Sequence, residues 1–278
     1  MKIQNAKKSG KIDWMITVVP LAIVSGIAAV LLLFPKSSMK VVDLLWYVFV
    51  NKLGFFYILL GLSLVIIAVV LAFSKYGNVK LGNSAKPRYS NFEWGAMIFT
   101  STMAADILYW SLIEWAYYFN ASPFGMTNLN IAERQDWASA YPLFHWGITP
   151  WAFYIVPAVA FGYMLHVRGR TKQKLSESCR PVFGDKTDRL PGKLIDIFSV
   201  VGLLAGTATT FSLATPLLSL AVSRLFGIPE GKLLTLFILL IIAAVYSMAV
   251  LLGIKGISQL AKISVISFTC LLFFVFAA

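Results

Sequence analysis

The chain has 278 residues, of which 59% are hydrophobic and only 13% are charged, and its mean hydropathy is +0.78. A soluble domain has about 45–50% apolar and about 25% charged residues, so this composition excludes a soluble globular protein. The 24 Lys and Arg residues against 12 Asp and Glu residues give a net charge of +12. That excess suits either a nucleic-acid-binding protein or a membrane protein with one basic side, and the placement of the charges decides between them.

Seven apolar segments follow one another along the chain, at about 14–34, 54–73, 91–119, 142–165, 195–223, 233–253 and 263–278. Each of the first six has the roughly 20 residues that cross about 30 Å of hydrocarbon as a helix. No segment shows the alternation that is typical of membrane β-strands. The sequence therefore predicts an all-α, polytopic membrane helical bundle. Because the seventh segment runs to the last residue, we expect it to be a truncated span.

Two of the predicted spans are unusually long, and the first one needs to be distinguished from a signal peptide. Segments 91–119 and 195–223 exceed a straight crossing, so they must tilt, project beyond the bilayer or unwind. Thr215-Pro216 is expected to bend or interrupt the second of these. Segment 14–34 is longer than the roughly 7–15 apolar residues of a signal peptide, which predicts a retained span.

The basic residues separate by side of the membrane. Of the 24, 18 lie in the N-terminal flank and in the loops after the second, fourth and sixth spans, and 6 lie on the other side. This asymmetry follows the positive-inside rule and predicts a cytoplasmic N-terminus. Lys255 and Lys262 are assigned to the loop after the sixth span. Since topology explains the net charge, nothing is left to indicate nucleic acid as a partner, and the lipid bilayer is the predicted one.

The third span contains two carboxylates, which are costly in hydrocarbon and are therefore candidates for a function. Asp106 lies near its centre, and helical spacing puts Trp110 and Tyr117 on the same face. Asp106 could pair with a cation or take up a proton; alternatively, it caps a broken helix or is hydrogen-bonded inside the bundle. Glu114 lies two turns closer to the outside, where a gate, a structural hydrogen bond and a substrate role all stay open.

The fourth span opens with a run of aromatic residues, Phe144-His145-Trp146-Gly147-Ile148-Thr149-Pro150-Trp151. Aromatic residues at a membrane boundary usually anchor the end of a helix. Alternatively, Trp146 could form the wall of a pocket that holds a quaternary ammonium group by cation–π attraction, worth about 0.5–2 kcal/mol per ring. His145 has no acidic neighbour in the sequence, so a structural role is the simpler interpretation.

Taken together, several segments resemble the betaine/choline/carnitine transporter family, and most closely its carnitine/γ-butyrobetaine exchanger branch. The resemblance runs from about residue 14 to the end of the chain. It is carried by Tyr109-Trp110 with Glu114 and Tyr117-Tyr118, by Phe144-His145-Trp146-Gly147 with Pro150-Trp151, by Ser122-Pro123-Phe124-Gly125, by Arg180-Pro181-Val182-Phe183-Gly184-Asp185 with Gly192-Lys193-Leu194-Ile195-Asp196, by Ser212-Leu213-Ala214-Thr215-Pro216 and by Phe226-Gly227-Ile228-Pro229.

The resemblance implies a twelve-helix secondary transporter of the LeuT type, in which two inverted five-helix repeats bind substrate between them. Residues 1–90 would hold the cytoplasmic N-terminus and helices 1 and 2. Residues 91–278 would be the first repeat, helices 3–7 with helix 7 truncated, and the second repeat would be absent. The family likeness also implies the plasma membrane of a prokaryote and a homotrimer.

The substrate implied is a quaternary ammonium compound such as choline, glycine betaine or carnitine. Trp146 matches the fourth-helix tryptophan of the family's aromatic box and Tyr117 the third-helix tyrosine that borders it, with Trp110 and Asp106 as further substrate-binding candidates. Thr102, Ala104 and Asp106 stand where sodium-coupled members have a glycine-rich stretch. Thr102 and Asp106 are therefore the coupling-ion candidates, and both sodium and a proton stay open.

Two other interpretations stand beside the transporter. The chain could be a truncated or split product with no transport activity of its own. A membrane enzyme has little support, because the sequence has only two histidines, no Gly-x-Ser-x-Gly elbow and no phosphate-binding loop. We therefore predict a protein that is not an enzyme, with no metal site and no cofactor apart from a coupling sodium ion or proton.

Overall fold

A computed structural model describes residues 13–82, 86–102 and 104–277, without the side chains of residues 102–108. Within these ranges the chain is helical and has no β-strand, which confirms the predicted all-α class. The α-helices are α1 (Trp14–Leu33), α2 (Pro35–Trp46), α3 (Gly54–Phe73), α4 (Asn91–Thr102), α5 (Ala104–Asn120), α6 (Ile131–His145), α7 (Ile148–His166), α8 (Leu175–Ser178), α9 (Arg180–Phe183), α10 (Leu190–Phe226), α11 (Lys232–Leu251) and α12 (Gly253–Ala277). A π-helical turn (Tyr47–Lys52) follows α2, and short 3₁₀ turns lie at Lys75–Asn78, Pro123–Gly125 and Gly184–Asp188.

Six helical stretches of the described chain are long and apolar enough to cross a membrane. They are α1, α3, the stretch Ile131–His166 that comprises α6 and α7, α10, α11 and α12. The predicted third span is described as α4 and α5, with Met103 between them outside the described residues. Each of these two helices is shorter than a membrane crossing, although together they cover the predicted segment.

Three predicted boundaries change in the structure. The fourth span begins inside α6, and the helix is interrupted between His145 and Ile148. Pro216 does not interrupt α10, which continues for 37 residues from Leu190 to Phe226. The loop assigned after the sixth span was wrong, because α12 begins at Gly253 and carries both Lys255 and Lys262 on the helix.

The described residues of 1–82 and 148–206 form one compact unit, and those of 83–147 and 207–278 form a second. The predicted division of the chain at residue 90 stays a prediction. In the first unit α3 packs against α7. Gly61 makes this close approach possible, since a Cβ atom at its position would lie 2.7 Å from Cγ2 of Thr149 and 3.2 Å from the ring of Phe153.

An ionic cluster orders the segment between α7 and α10 in the first unit. The Glu177 carboxylate is almost fully buried and accepts hydrogen bonds from Nε of Arg170 at 2.8 Å and Nε of Arg180 at 3.1 Å. Arg180 also donates to Asp188 at 2.6 Å, and Lys172 donates to the second oxygen of Asp188 at 2.7 Å. Two guanidinium groups thus compensate one buried charge, which a single surface pair could not do.

These cations lower the carboxyl pKa values. The hydrogen bond from Arg170, followed by that from Arg180, holds the pKa of Glu177 below its ordinary value in spite of burial. Lys172 first, and then Arg180, lower the pKa of Asp188 from 3.8 to about 2. Because both values are depressed in the fold, the stabilisation is present above about pH 4 and is lost as the pH falls towards about 2.

Two further contacts tie this segment to membrane helices of the same unit. The buried carboxylate of Asp196, on α10, accepts hydrogen bonds from the backbone N–H and the hydroxyl of Ser176, both at 2.9 Å. Lys174 donates to Asp13, at the start of α1, at 2.9 Å. The predicted cytoplasmic loop is therefore a folded element.

In the second unit α12 packs against α4. Lys262 Nζ lies 2.6 Å from Oε1 of Glu93, and the hydroxyl of Ser258, one turn earlier on α12, donates to the same oxygen at 3.2 Å. The rings of Phe99 and Phe268 meet further along the two helices, with centroids 5.8 Å apart. Lys262 can lie on a helix next to an apolar segment because Glu93 compensates its charge.

We expect Glu177→Gln to destabilise the first unit markedly. The substitution keeps the side-chain shape but leaves Arg170 and Arg180 without their common counter-charge, and breaking a buried pair costs on the order of 3–5 kcal/mol. Thermal unfolding of the purified chain in detergent should show a midpoint several degrees lower.

The control is Asp185→Asn in the same cluster. Asp185 pairs with Arg180 at 3.1 Å, but its side chain is 95% exposed, and exposed pairs contribute at most about 1 kcal/mol. If the two variants lowered the midpoint of thermal unfolding equally, burial of Glu177 would make no contribution to stability.

Candidate functional site

A buried carboxylate marks the candidate site, in the second unit. Glu114 lies on α5, and its residue surface is only 5% exposed. α5 packs against α6, whose last residue is His145, and Trp146 caps that helix end. This packing brings Glu114 against the His145-Trp146 pair, which lies about thirty residues further along the chain.

Both oxygens of Glu114 are hydrogen-bonded. The indole N–H of Trp146 donates to Oε2 at 2.6 Å, and Nδ1 of His145 lies 2.6 Å from Oε1. The hydroxyl of Tyr118, one helical turn beyond Glu114, lies 3.4 Å from Oε1 and 3.3 Å from Nδ1 of His145. A buried carboxylate is tolerated only when such donors replace water, so these three side chains account for its position.

The local fold fixes the donors. α6 begins with a capping box, in which Asn130 accepts from the backbone N–H of Glu133 and the Glu133 side chain accepts from that of Asn130. At its other end the backbone N–H of Trp146 donates to the carbonyl of Pro142 at 2.9 Å. Trp146 is thus held by two hydrogen bonds, one from its backbone N–H and one from its indole N–H. Its orientation is set before any ligand binds.

An aromatic cluster adjoins the carboxylate. Tyr141 on α6 lies at its centre, with its ring 4.7 Å from that of Tyr118 and 5.6 Å from that of Phe144. Phe124 lies in the loop between α5 and α6. The centroid of its ring is 5.8 Å from that of Trp137 and 6.1 Å from that of Tyr141. Phe124 adopts a left-handed backbone conformation, with φ of 62°, which directs the chain back towards α6. The cluster packs the α5–α6 pair around the carboxylate.

The structure brings some of the predicted site residues together and separates others. The rings of Trp110 and Tyr117 pack at 6.1 Å along α5, and Tyr117 is 58% exposed. Trp146 instead has His145 as a ring neighbour, at 5.8 Å, and Glu114 as its hydrogen-bond partner. The side chains of the other two predicted residues, Asp106 and Thr102, lie outside the described part of the chain.

Sequence reasoning missed the pairing of His145 with Glu114. It found no acidic neighbour for His145, because it considered only residues close by in the chain. One local signal did exist, since Glu114 and Tyr118 are spaced by four residues and so share a helix face. His145 and Trp146 come close to Glu114 only because α6 packs against α5, and no local sequence pattern predicts that packing.

The cavities of the second unit lie elsewhere. One of about 260 Å³ is lined by leucines of α10 together with Leu112 and Ala221, and it has no polar group to orient a ligand. Another of about 410 Å³ lies between the end of α10 and the start of α11, beside Pro216, Ser219, Glu230 and Thr235. Neither is lined by a predicted site residue. The oriented aromatic side chains beside Glu114 therefore lie outside these two cavities.

Comparison with known proteins gives the same family as the sequence motifs. Residues 15–278 match the family model described as BCCT, betaine/carnitine/choline family transporter. Over 244 residues the chain is 29% identical to a probable glycine betaine transporter of Desulfitobacterium hafniense (strain Y51). The matched stretch covers 87% of this chain and 49% of that protein. The chain thus spans about half the length of this curated relative. It is a multi-pass membrane protein that belongs to the betaine/carnitine/choline transporter family.

Proposed function

We propose that the chain acts in secondary transport of a quaternary ammonium compound such as choline, glycine betaine or carnitine across the plasma membrane. Membership of the family and the name of the similar glycine betaine transporter support this substrate class. The observation that carries the proposal is the hydrogen bond between the Trp146 indole and Glu114. It holds an indole ring, the strongest cation–π partner among the side chains, in a fixed orientation.

The electrostatics of this pair favour a cation. A quaternary ammonium group has no N–H to donate, so it is recognised by the negative face of an aromatic ring rather than by a hydrogen bond. The indole N–H of Trp146 is already bound to Glu114, and a carboxylate acceptor increases the electron density of the ring. Since the N–H of Trp146 is already used, the side chain can bind a substrate through the face of its ring. Tyr117 and Trp110 are proposed as further aromatic contacts for the substrate.

Asp106 and Thr102 are proposed for coupling. A carboxylate near the middle of a span is stabilised by a nearby cation or by protonation, so we propose Asp106 as a counter-ion for the substrate or as a proton carrier. Thr102 offers the hydroxyl oxygen that a sodium site would need. Sodium and proton coupling both remain open for this chain. Alternating access, in which helices rock around the bound substrate, would deliver it to the other side.

A second candidate is a transporter piece without activity of its own. It is favoured by one observation, the length of the chain, which is about half that of its curated relative. For both candidates we propose a cytoplasmic N-terminus, from the distribution of Lys and Arg, and a homotrimer, from the family likeness.

Uptake measurements distinguish the two candidates. We expect cells that make the chain to accumulate labelled choline, glycine betaine or carnitine above a vector control, with a dependence on sodium or on pH that identifies the coupling ion. Trp146→Ala should weaken the apparent affinity by about 2–30-fold, which corresponds to one cation–π contact of about 0.5–2 kcal/mol.

Trp115→Ala is the matched control, because Trp115 is half exposed on α5 and its N–H donates to the Leu112 carbonyl rather than to Glu114. Absence of uptake of all three compounds by a chain that reaches the membrane would contradict transport by this chain and favour the inactive piece.

Glu114→Gln should loosen Trp146 without removing it. The amide is a weaker acceptor than the carboxylate, and losing a charged hydrogen bond costs about 1.5–3 kcal/mol. We expect the KM of uptake to rise by about 2–10-fold, less than for Trp146→Ala because the ring is kept, with a smaller change in maximal rate. The tryptophan fluorescence should shift because the indole is less fixed.

Glu133→Gln serves as the control for that experiment, since Gln at this position preserves the capping box of α6. Equal kinetic effects of the two variants would assign Glu114 a purely structural role.

Asp106→Asn tests the coupling proposal. The amide cannot take up a proton or balance a cation, so uptake should lose its pH dependence or fall several-fold at low substrate concentration. Asp136→Asn on the exposed surface of α6 is the control. Unchanged affinity and an unchanged pH profile in vesicles would remove Asp106 from the mechanism.

A further inference from the structure

A helical segment lies between the first two membrane spans, where the hydropathy pattern predicts no span. α2 and the π-helical turn together run from Pro35 to Lys52. Only Phe34 separates this segment from α1, and only Leu53 separates it from α3. Because α1 and α3 are both candidate spans, each end of the segment is held within one residue of the end of a membrane helix.

The segment has two chemically distinct faces, and α2 is the most strongly amphipathic of the longer helices in the described chain. Lys36, Lys40 and Asp43 recur at intervals of four and three residues and share one face. The other face carries Val42 and Leu45, with Trp46 at its edge. A helix with this pattern, a charged face opposite an apolar face that includes Trp, is typical of an interfacial membrane helix.

Among the described residues of its unit, the apolar face of this segment is only partly covered. Leu45 is 48% exposed and Trp46 is 67% exposed, and Phe49 in the π-helical turn continues the exposed surface. The start of α2 is anchored to α1, because the buried Ser38 hydroxyl donates to the carbonyl of Val30 in the last turn of α1 at 3.3 Å. The helix is therefore attached to the end of the span, and within the described chain its apolar side stays largely exposed.

Two placements are unfavourable for such a segment. As a span it would carry Lys40 and Asp43 into hydrocarbon, where each unpaired charge is costly. Fully in water it would expose its row of large apolar side chains, each of which is stabilised by burial. An orientation along the membrane surface satisfies both faces.

We propose that residues 35–52 form an interfacial helix that lies along the surface of the bilayer crossed by α1 and α3. Its partner is the lipid itself: the acyl boundary takes up the face of Val42, Leu45 and Trp46, and the phosphates of the headgroups lie near Lys36, Lys40 and Lys52. The three lysines exceed the one acidic residue, Asp43, which matches an anionic phosphate layer. The inference requires only that the chain is membrane-embedded, so it does not depend on the proposed substrate.

Spin labels on the two faces test this placement. In a chain whose free cysteines, Cys179 and Cys270, are replaced by Ser, the variants Leu45→Cys and Lys40→Cys put a label on opposite faces of the same helix. The labelled chain is reconstituted in vesicles of phosphatidylethanolamine and phosphatidylglycerol. Collision with oxygen, which concentrates in the bilayer, is compared with collision with a water-soluble nickel complex.

We expect the Leu45→Cys label to be accessible to oxygen, about 5–10 Å below the headgroups, and the Lys40→Cys label to be accessible to nickel. Nickel access at both positions would place the helix in water and overturn the proposal. Protection of the Leu45→Cys label from both reagents would also overturn it, since a second copy or another protein segment would then cover that face. The pair Val42→Cys and Asp43→Cys repeats the measurement should either first variant fail to fold.

Discussion

Hydrocarbon provides no hydrogen-bond partner, and this constraint determines most of the structure. The backbone meets it by forming helices throughout the described ranges. Buried charged side chains meet it through partners on other elements. Glu114 is buried against Trp146 and His145, and Lys262 on α12 is compensated by Glu93 on α4. Each of these contacts joins two separate helices, so the cost of an unpaired charge helps to select one packing arrangement.

Hydropathy predicts the spans well where apolar residues are continuous. The predicted segments 14–34 and 54–73 agree closely with Trp14–Leu33 and Gly54–Phe73, because the free energy of placing a helix in lipid is nearly a sum over its residues. The same sum fails at α12. It places Lys262 in a loop before the seventh segment, whereas the structure gives that lysine a carboxylate partner and begins the helix already at Gly253.

The sequence predicts which kinds of side chain form the candidate site, but not which of them contact one another. The residue pattern indicates that aromatic side chains and a carboxylate occur together on α5, and Trp110 does pack against Tyr117 there. Nothing local indicates that Glu114 binds Trp146, since that contact exists only because α6 ends beside α5. The interfacial segment was missed for a related reason. Its apolar residues are spread over one helical face, whereas the search for spans looks for continuous runs.

Magnitudes indicate how much of a binding site the oriented indole can supply. A dissociation constant of about 1 μM requires roughly 8 kcal/mol, whereas one aromatic face contributes about 0.5–2 kcal/mol to the binding of a cation. On the proposed function, Trp146 alone would therefore determine where a quaternary ammonium group binds but not how tightly. The remaining affinity must come from further aromatic faces and from a negative charge at short range. Within this chain the sequence offers Trp110, Tyr117 and Asp106 on α5 for that purpose, the same helix that positions Trp146 through Glu114.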